Sequence, residues 1–386
     1  MTDPRIAIVG AGIGGLTLAV ALHRRGMKPV IFERAESLGE VGAGITLWPN
    51  ATKALFSLGL QDAIDGVAEE PQNQSMWHFA TGEIFRVYPR GPATRAAYGA
   101  PLYLLHRRDL HDVLVNAVHR HDPSAVRLNS NVTGVVAAGD RAILHVKNQE
   151  KIEADLVVGC DGIRSTVREQ LFGSEPARFT GIVAWRALVP IDLVPRRLRE
   201  TPSGMHIGPD RNVSHYSIRK DSLFNYLGFA KVDTWTEEGW MIRADPREVL
   251  EVFKDFQPDI ISLLQATPPE GCFKWGLFDR DPIPRWTHGR VTLLGDAAHP
   301  MLPFLGQGAG MVIEDAVVLA RAIAESPDVD SALLRYESAR RERTALALLR
   351  SRAHAEYWNT HPDIIKDREP VMEVDLNVYD AASVPI

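Results

Sequence analysis

The chain opens on an apolar run. Residues 6–9 read Ile-Ala-Ile-Val without a polar interruption, the mark of a short strand buried on both faces. A glycine cluster follows, and the next apolar stretch predicts a helix from Leu16 to Arg25 that stops near Gly26. Pro29 to Phe32 form a second strand, so the first seventy residues read β-α-β, a loop, and a helix around Ala51 to Leu58. Residues 74–88 alternate loosely and predict two antiparallel strands around Thr81-Gly82-Glu83. Residues 89–100, rich in Pro, Gly, Ala and Arg, read as an exposed loop. Residues 107–121 predict an amphipathic helix with Leu110, Val113, Leu114 and Ala117 on one face. Strands are expected at 125–128, 132–138, 142–147 and 155–159.

The pattern then changes. Residues 179–230 carry alternating strands, with 213–218 pairing 223–230 across Arg219-Lys220-Asp221-Ser222. A helix pair spans 245–266 and a return strand 272–278. A helix runs from Gly310 to Ala324 and a long C-terminal one over roughly 328–358. On that last helix Leu333, Leu334, Leu346, Leu348 and Leu349 are expected to be buried. Arg340, Arg341, Arg343, Arg350 and Arg352 are expected on a solvated, salt-bridged face, and 362–386 reads as irregular.

The resulting fold class is α/β: a Rossmann-type nucleotide domain, an interleaved, mostly antiparallel β-sheet substrate domain, and a long C-terminal helix. The expected boundaries are 1–75, 101–178 and 279–330 for the nucleotide domain. The substrate domain takes 76–100 and 179–278, and 331–386 form the terminal helix and tail.

Composition narrows the function classes. Of 386 residues, 45% are hydrophobic and 24% charged, ordinary for a globular protein with ample core. A net charge of −6 offers no basic field for nucleic acid or an acidic membrane surface. The two cysteines, Cys160 and Cys272, exclude a disulfide framework, a CxxC centre and a thiolate zinc site. No histidine spacing suggests a metal, and no nucleophile elbow is present. Neither a signal peptide nor a long uncharged apolar stretch is visible, so a cytoplasmic home is expected.

Two glycine-anchored motifs carry the chemistry. In Ile6-Ala7-Ile8-Val9-Gly10-Ala11-Gly12-Ile13-Gly14-Gly15, Gly10 permits the tight turn and Gly12 lets backbone approach a pyrophosphate. Gly15 allows close helix–strand packing. The helix N-terminus then points free N–H groups at an anion. Glu33 ends the second strand, 18 residues past Gly15, where a carboxylate accepts from ribose hydroxyls and disfavours a 2′-phosphate. The second motif, Val291-Thr292-Leu293-Leu294-Gly295-Asp296-Ala297-Ala298-His299-Pro300, places a carboxylate at a strand end. Such a group suits a polyol such as the ribityl chain of FAD, which NAD lacks. Gly306-Gln307-Gly308-Ala309-Gly310 then suits a loop passing a flat ring, ahead of a helix whose positive end faces it. Read alone, this second segment also fits a strand, turn and helix without a ligand. Asp155 to Arg168, a strand, an Asp161-Gly162 turn and a basic helix start, reads by itself as a common structural strand-turn-helix.

Taken together, in this order and over nearly the whole chain, the three segments resemble the group A flavoprotein monooxygenases, the para-hydroxybenzoate hydroxylase-like family. The branch they look most like contains salicylate hydroxylase, 3-hydroxybenzoate 6-hydroxylase and 6-hydroxynicotinate 3-monooxygenase. Supporting stretches are Gly42-Ala43-Gly44-Ile45 before Trp48-Pro49-Asn50, His106-Arg107-Arg108-Asp109-Leu110, Asp281 to Trp286, and Glu314-Asp315-Ala316. The resemblance implies FAD as cofactor, NADH or NADPH as transient co-substrate, and O2. Only one GxGxxG is present, so the nicotinamide is expected to dock transiently on the flavin face.

The resemblance also implies roles by position. Glu33 would hold the FAD ribose and Arg107 the flavin side of the cofactor. Asp161 would sit beside the pyrophosphate, and Asp296 would hold the ribityl chain. Gly10, Gly12, Gly14, Gly15, Arg34, Gly44, Gly306 and Gly308 complete the expected cofactor set. Pro303 falls where the family presents a backbone carbonyl to the substrate ring. The implied reaction is hydroxylation of an electron-rich phenolic or hydroxy-heteroaromatic acid through a flavin C4a-hydroperoxide, decarboxylative if the attacked carbon bears a carboxylate. A larger phenol or quinolone is an alternative substrate.

For substrate, the strand Asp210 to Arg219 puts Asn212, Ser214 and Tyr216 on one face and Val213 and His215 on the other. The branch carries a His at Asn212 and a Tyr at Tyr216, so Asn212 is a departure that bears on the substrate. His215, Tyr216 and Pro303 are the expected catalytic groups, with Asn212, Arg186, Met301 and Phe304 against the substrate. Trp185 reads as core. A flavin halogenase would carry Trp-x-Trp-x-Ile-Pro, whose nearest text here is Trp185 to Pro190. A non-catalytic FAD-binding protein is the alternative from a different class. Partners are confined to a small aromatic molecule, with no nucleic acid, no membrane, and a homodimer left open.

Overall fold

The computed structural model describes residues 4–39, 42–149, 151–173, 177–235, 242–368 and 374–386. Two sheets organise it. The first has six strands in the order Thr287–His288, Val291–Leu293, Leu156–Gly159, Ile6–Val9, Val30–Phe32, Val126–Arg127. All of its pairs are parallel except the outer hairpin of Thr287–His288 with Val291–Leu293. Its central strands are continuously apolar because helices cover both faces. The helix Ile13–His23 buries Ile13 through Leu22 without a break. It needs no polar stripe, being packed between this sheet and the helices Gly308–Glu325 and Arg107–His121.

The second sheet has eight strands, in the order Ile242–Arg243, Phe273–Asp279, Arg178–Pro190, Leu223–Lys231, Arg211–Ile218, Ser203–Gly208, Asn73–His78, Ile84–Pro89. Every pair is antiparallel except Ser203–Gly208 with Asn73–His78. This is the mostly antiparallel sheet expected from the alternation. Its two faces meet different environments. Val213, His215, Phe224, Tyr226, Trp185 and Ala187 lie on one, and all but His215 belong to one apolar core completed by Phe253 and Ile260. Ser214, Tyr216, Leu227, Phe229 and Arg186 lie on the other, toward a cavity.

Several expectations need correction. Residues 89–100 are not an exposed loop: Pro92–Tyr98 is a helix entered through Gly91 at φ +50°, and Arg90, Thr94 and Tyr98 are buried. Proline at the helix start and glycines at both ends are a helix signature misread as a loop. On the helix Val329–Trp358, Leu334, Leu346 and Leu349 are exposed, while Arg340 is fully buried. The buried stripe runs through Ala332, Leu333, Tyr336, Arg340, Thr344, Ala347, Leu348 and Ser351. The 3.6-residue period decides which positions face inward, and it passes through an arginine and skips three leucines. The tail is partly regular, with short helices at Pro362–Lys366 and Val374–Val378, and residues 369–373 lie outside the described residues. It is tied down by Arg343 and Arg321, which donate to the carbonyls of Leu376, Ala381 and Val384.

Candidate active site

A cavity of about 470 Å³ lies between the N-terminal glycine turn and the eight-stranded sheet. On the nucleotide side it is lined by Gly12, Gly14, Cys160, Gly162, Asp296, Gly306 and Gly308. On the sheet side it meets Tyr216, Ser214, Arg186, Met205, Leu227, Phe229 and Trp275. Arg90, Trp48, Gln74, Arg107, Met301, Pro303 and Phe304 close it.

The nucleotide side is built for close approach. Gly10 turns at φ +104°, and a side chain there would strike the Cys160 carbonyl at 2.6 Å. At Gly15 a Cβ would fall 2.1 Å from the Gly10 carbonyl. At Gly12 and Gly162, by contrast, a Cβ would meet nothing within 4 Å. The first pair of glycines is required by protein packing. Gly12 leaves that space at the head of the buried helix Ile13–His23, where phosphate oxygens are favoured, and Gly162 borders the same cavity. Glu33 is committed to the same turn: Ala11 N–H donates to its Oε2 at 2.8 Å and Ala35 N–H to its Oε1 at 2.9 Å. His111, unremarked in the sequence, holds the turn from the other side, its Nε2 lying 2.8 Å from the Ala11 carbonyl.

The predicted site residues do not all converge. Gly12, Gly14, Gly44, Arg107, Asp296, Gly306, Gly308, Arg186, Met301, Pro303, Phe304 and Tyr216 line the one cavity. Gly10, Gly15 and Glu33 shape the turn behind it. Arg34 is exposed and outside the lining. Asp161 caps the next helix instead of facing the cavity: Ser165 Oγ donates to its Oδ1 at 2.5 Å and Val167 N–H to its Oδ2 at 3.1 Å. Asn212, fully buried, turns to the end of the long helix, where its Nδ2 donates to Asn359 Oδ1 at 3.2 Å. The Pro303 carbonyl accepts the Gly306 N–H at 2.9 Å within its own turn, leaving one lone pair for another donor.

His215 is the clearest correction. It borders the cavity, but the pleat turns its ring to the packed face. There it stacks on Phe224 with centroids 5.2 Å apart and leans on His206 at 5.3 Å. Both ring nitrogens are buried without a hydrogen-bond partner. Burial pushes its pKa down to about 3, so the ring is neutral and packed against aromatic core. This placement does not support the catalytic role expected of it.

Tyr216, its neighbour in sequence, does the opposite. Its ring packs with Leu102, Leu104 and Ile218, and its hydroxyl lies where a Cβ on Gly44 would come within 2.5 Å. Burial pushes the phenol pKa up, partly offset by a hydrogen bond with Thr46. The group is therefore a neutral donor at neutral pH. Asn225, beside it, accepts the Gly44 N–H at 2.8 Å and so ties the sheet to the strand Gly44–Leu47.

A buried charged network supports the loop of the second glycine motif. Asp315 accepts from the Gly295 N–H at 3.1 Å, contacts His299 Nε2 at 2.5 Å and accepts from Arg340 Nε at 2.7 Å. Burial alone would push the Asp315 pKa up. His299 and Arg340 outweigh that and bring it below the usual value. His299 is thus fastened beneath the loop, and Arg340 ties the loop to the long helix. Sequence reading missed Arg90, Trp48, Gln74 and Trp275. The available signal for Arg90 was its setting, Tyr88-Pro89-Arg90-Gly91-Pro92, a basic residue in a rigid corner.

Residues 3–351 match the family model described as FAD binding domain. Among curated proteins the chain is 37% identical to a 3-amino-4-hydroxybenzoate 2-monooxygenase of Streptomyces platensis, over 90% of this chain and 87% of that one. It is also 37% identical to a 3-hydroxybenzoate 6-hydroxylase of Aquipseudomonas alcaligenes, over 91% and 89%. Among solved structures, Klebsiella pneumoniae HpxO complexed with FAD and uric acid superposes with a TM-score of 0.84 at 25% identity, covering 94% of this chain and 91% of that one.

Proposed function

Because this chain belongs to the FAD-binding-domain family of flavoprotein aromatic monooxygenases, we propose that it hydroxylates a phenolic or hydroxy-heteroaromatic ring held against the Tyr216 face of its cavity. It is an FAD-dependent enzyme that uses NAD(P)H and O2. When bound, reduced FAD supplies with O2 an electrophilic oxygen for an electron-rich ring carbon.

The residues present fit that cofactor. Open space at Gly12 admits a pyrophosphate at the helix N-terminus, and Gly162 leaves further space on the same cavity. Asp296, exposed and lining the cavity, suits ribityl hydroxyls. Gly306, at φ +63°, and Gly308 bring backbone and a second helix N-terminus to the same space. Glu33, whose carboxylate already organises the turn, remains our assignment for the ribose. The division into a nucleotide region and a substrate region is supported by the two sheets, although Asn73–His78 joins the larger sheet three residues before residue 76.

The observation that carries the proposal is Tyr216: a buried, neutral phenol donor on the wall of the cavity that Met301 to Phe304 also line. It donates a hydrogen bond to the substrate's ring oxygen and steadies the oxygen as negative charge grows there. Phe304 and Phe229, with centroids 4.9 Å apart, and Met301, Leu227 and Trp275 give the ring an apolar slot and exclude water. The Pro303 carbonyl, with a lone pair left, accepts from a substrate hydroxyl or amine. The substrate ring fits between these groups; the enzyme's contribution is position, dryness and one placed donor.

The test is product analysis under ¹⁸O2 with FAD-loaded protein, NADH or NADPH, and a panel of 3-hydroxybenzoate, 3-amino-4-hydroxybenzoate, 6-hydroxynicotinate and salicylate. One ¹⁸O atom in a ring-hydroxylated product supports the proposal. FAD-loaded protein that oxidises the nicotinamide but returns every ring unlabelled contradicts it.

A further inference from the structure

Arg90 is buried, 8% exposed, and borders the cavity. Its guanidinium carbon lies 5.3 Å from the Trp48 centroid and 5.3 Å from that of Tyr88. Nη2 donates to Gln74 Oε1, a neutral acceptor, at 2.7 Å. Nε is buried with no partner, and so is the neighbouring Trp48 Nε1. Among the described residues no carboxylate pairs with it. Burial disfavours the cation and pushes its pKa down, and the groups that oppose this are tyrosines, Tyr88 and Tyr98, not carboxylates.

The contrast with Arg340 is direct. That residue is more deeply buried, and Glu314 and Asp315 each stand 2.7 Å from it. A guanidinium stays charged at any working pH, so burying one without an anion is costly unless a ligand brings the anion. The Trp48 and Tyr88 rings hold the planar fork in one orientation, the form in which it meets a carboxylate edge-on.

We infer that Arg90, with the Trp48 indole N–H beside it, is the residue that binds the carboxylate of the substrate and so selects an aromatic acid over its neutral analogue. This rests on the hydroxylase reading and adds to it the residue that reads the substrate's charge. Arg90 sets specificity at one end of the cavity while Tyr216 acts on the ring oxygen. A neutral phenol pays the cost of leaving Arg90 without an anion; an acid does not.

The experiment titrates the FAD-loaded protein with matched pairs, 3-hydroxybenzoate against 3-hydroxybenzamide and 6-hydroxynicotinate against 6-hydroxynicotinamide. It follows the flavin spectrum and then NADH oxidation. In at least one pair the acid is expected to bind roughly 30-fold or more tightly than the amide, as loss of a buried charge partner implies. R90Q brings that ratio down toward one with FAD per chain unchanged, and R90K leaves it intermediate, a charge without the fork. Ligand-free R90Q melts at or above the parent, since an unpaired buried charge has gone. Should R90Q fail to fold, R90K and Trp48→Phe carry the same ratio test. An acid preference that survives in R90Q, or a parent that takes amides as well as acids, overturns the inference while leaving the hydroxylase standing. FAD-loaded protein that responds to none of the four overturns both.

Discussion

Two faces of one sheet, one residue apart, have opposite fates. Tyr216 and His215 follow each other on the strand Arg211–Ile218, yet Tyr216 stands on the cavity wall and His215 is stacked in apolar core. Both are nearly or fully buried, and both have pKa values moved by burial away from ionisation. Burial keeps the phenol protonated and useful as a donor. It keeps the imidazole neutral, without a hydrogen-bond partner and stacked in the core. A polar residue in a sheet is therefore no sign of function until the pleat says which way it points.

The largest effect expected from the packed face is on stability. Phe224 is fully buried against His215, and Phe224→Ala should cost about 3–5 kcal/mol, seen as a lower denaturant midpoint. A small loss would mean that this face is not the tight core it looks to be.

Next comes acid sensitivity, which belongs to the same face. His215 is neutral when folded, with a pKa of about 3, and protonates near 6.5 when unfolded. Below 6.5 the unfolded chain binds the extra proton, so stability falls as pH drops from 6.5 toward 3, by about 1.4 kcal/mol per pH unit. His206, also depressed by burial, adds to the slope. His215→Phe should flatten the pH dependence between 6.5 and 4 in chemical-denaturation curves. An unchanged slope would place the titrating groups elsewhere.

On the cavity side, Gly12→Val fills the open space beside the turn. The ligand-free protein should melt within a few degrees of the parent and retain FAD at least about tenfold more weakly. Normal FAD retention would remove Gly12 from the cofactor cradle. The smallest effect is Tyr216→Phe, which keeps the ring and loses one donor. Product formation should slow roughly tenfold with the melting temperature nearly unmoved.

Much of the fold was legible because its signals are local. The apolar strand, glycine turn and acid at Glu33 need only a few residues each, and the alternation over 211–230 gave the antiparallel strands. What failed depended on partners distant in sequence. Arg340 reads as surface until Glu314 and Asp315 are seen against it. Asn212 reads as a pocket residue until Asn359, 147 positions away, takes its amide. Arg90 sat in a stretch whose Pro and Gly content suggested a loop, and only the rings of Trp48 and Tyr88 turn it inward. For the site, the cavity-lining glycines and Tyr216 were readable from motif and pleat. The direction of His215 was readable too: the pleat already opposed the catalytic role assigned to it.

The most direct measurement compares Tyr216→Phe with His215→Phe in one assay, following ring hydroxylation per NADH consumed by the FAD-loaded protein with 3-hydroxybenzoate, or whichever panel acid gives the labelled product. The account predicts that Tyr216→Phe loses most product per NADH while His215→Phe matches the parent. Loss of product in His215→Phe, with Tyr216→Phe unimpaired, would contradict it.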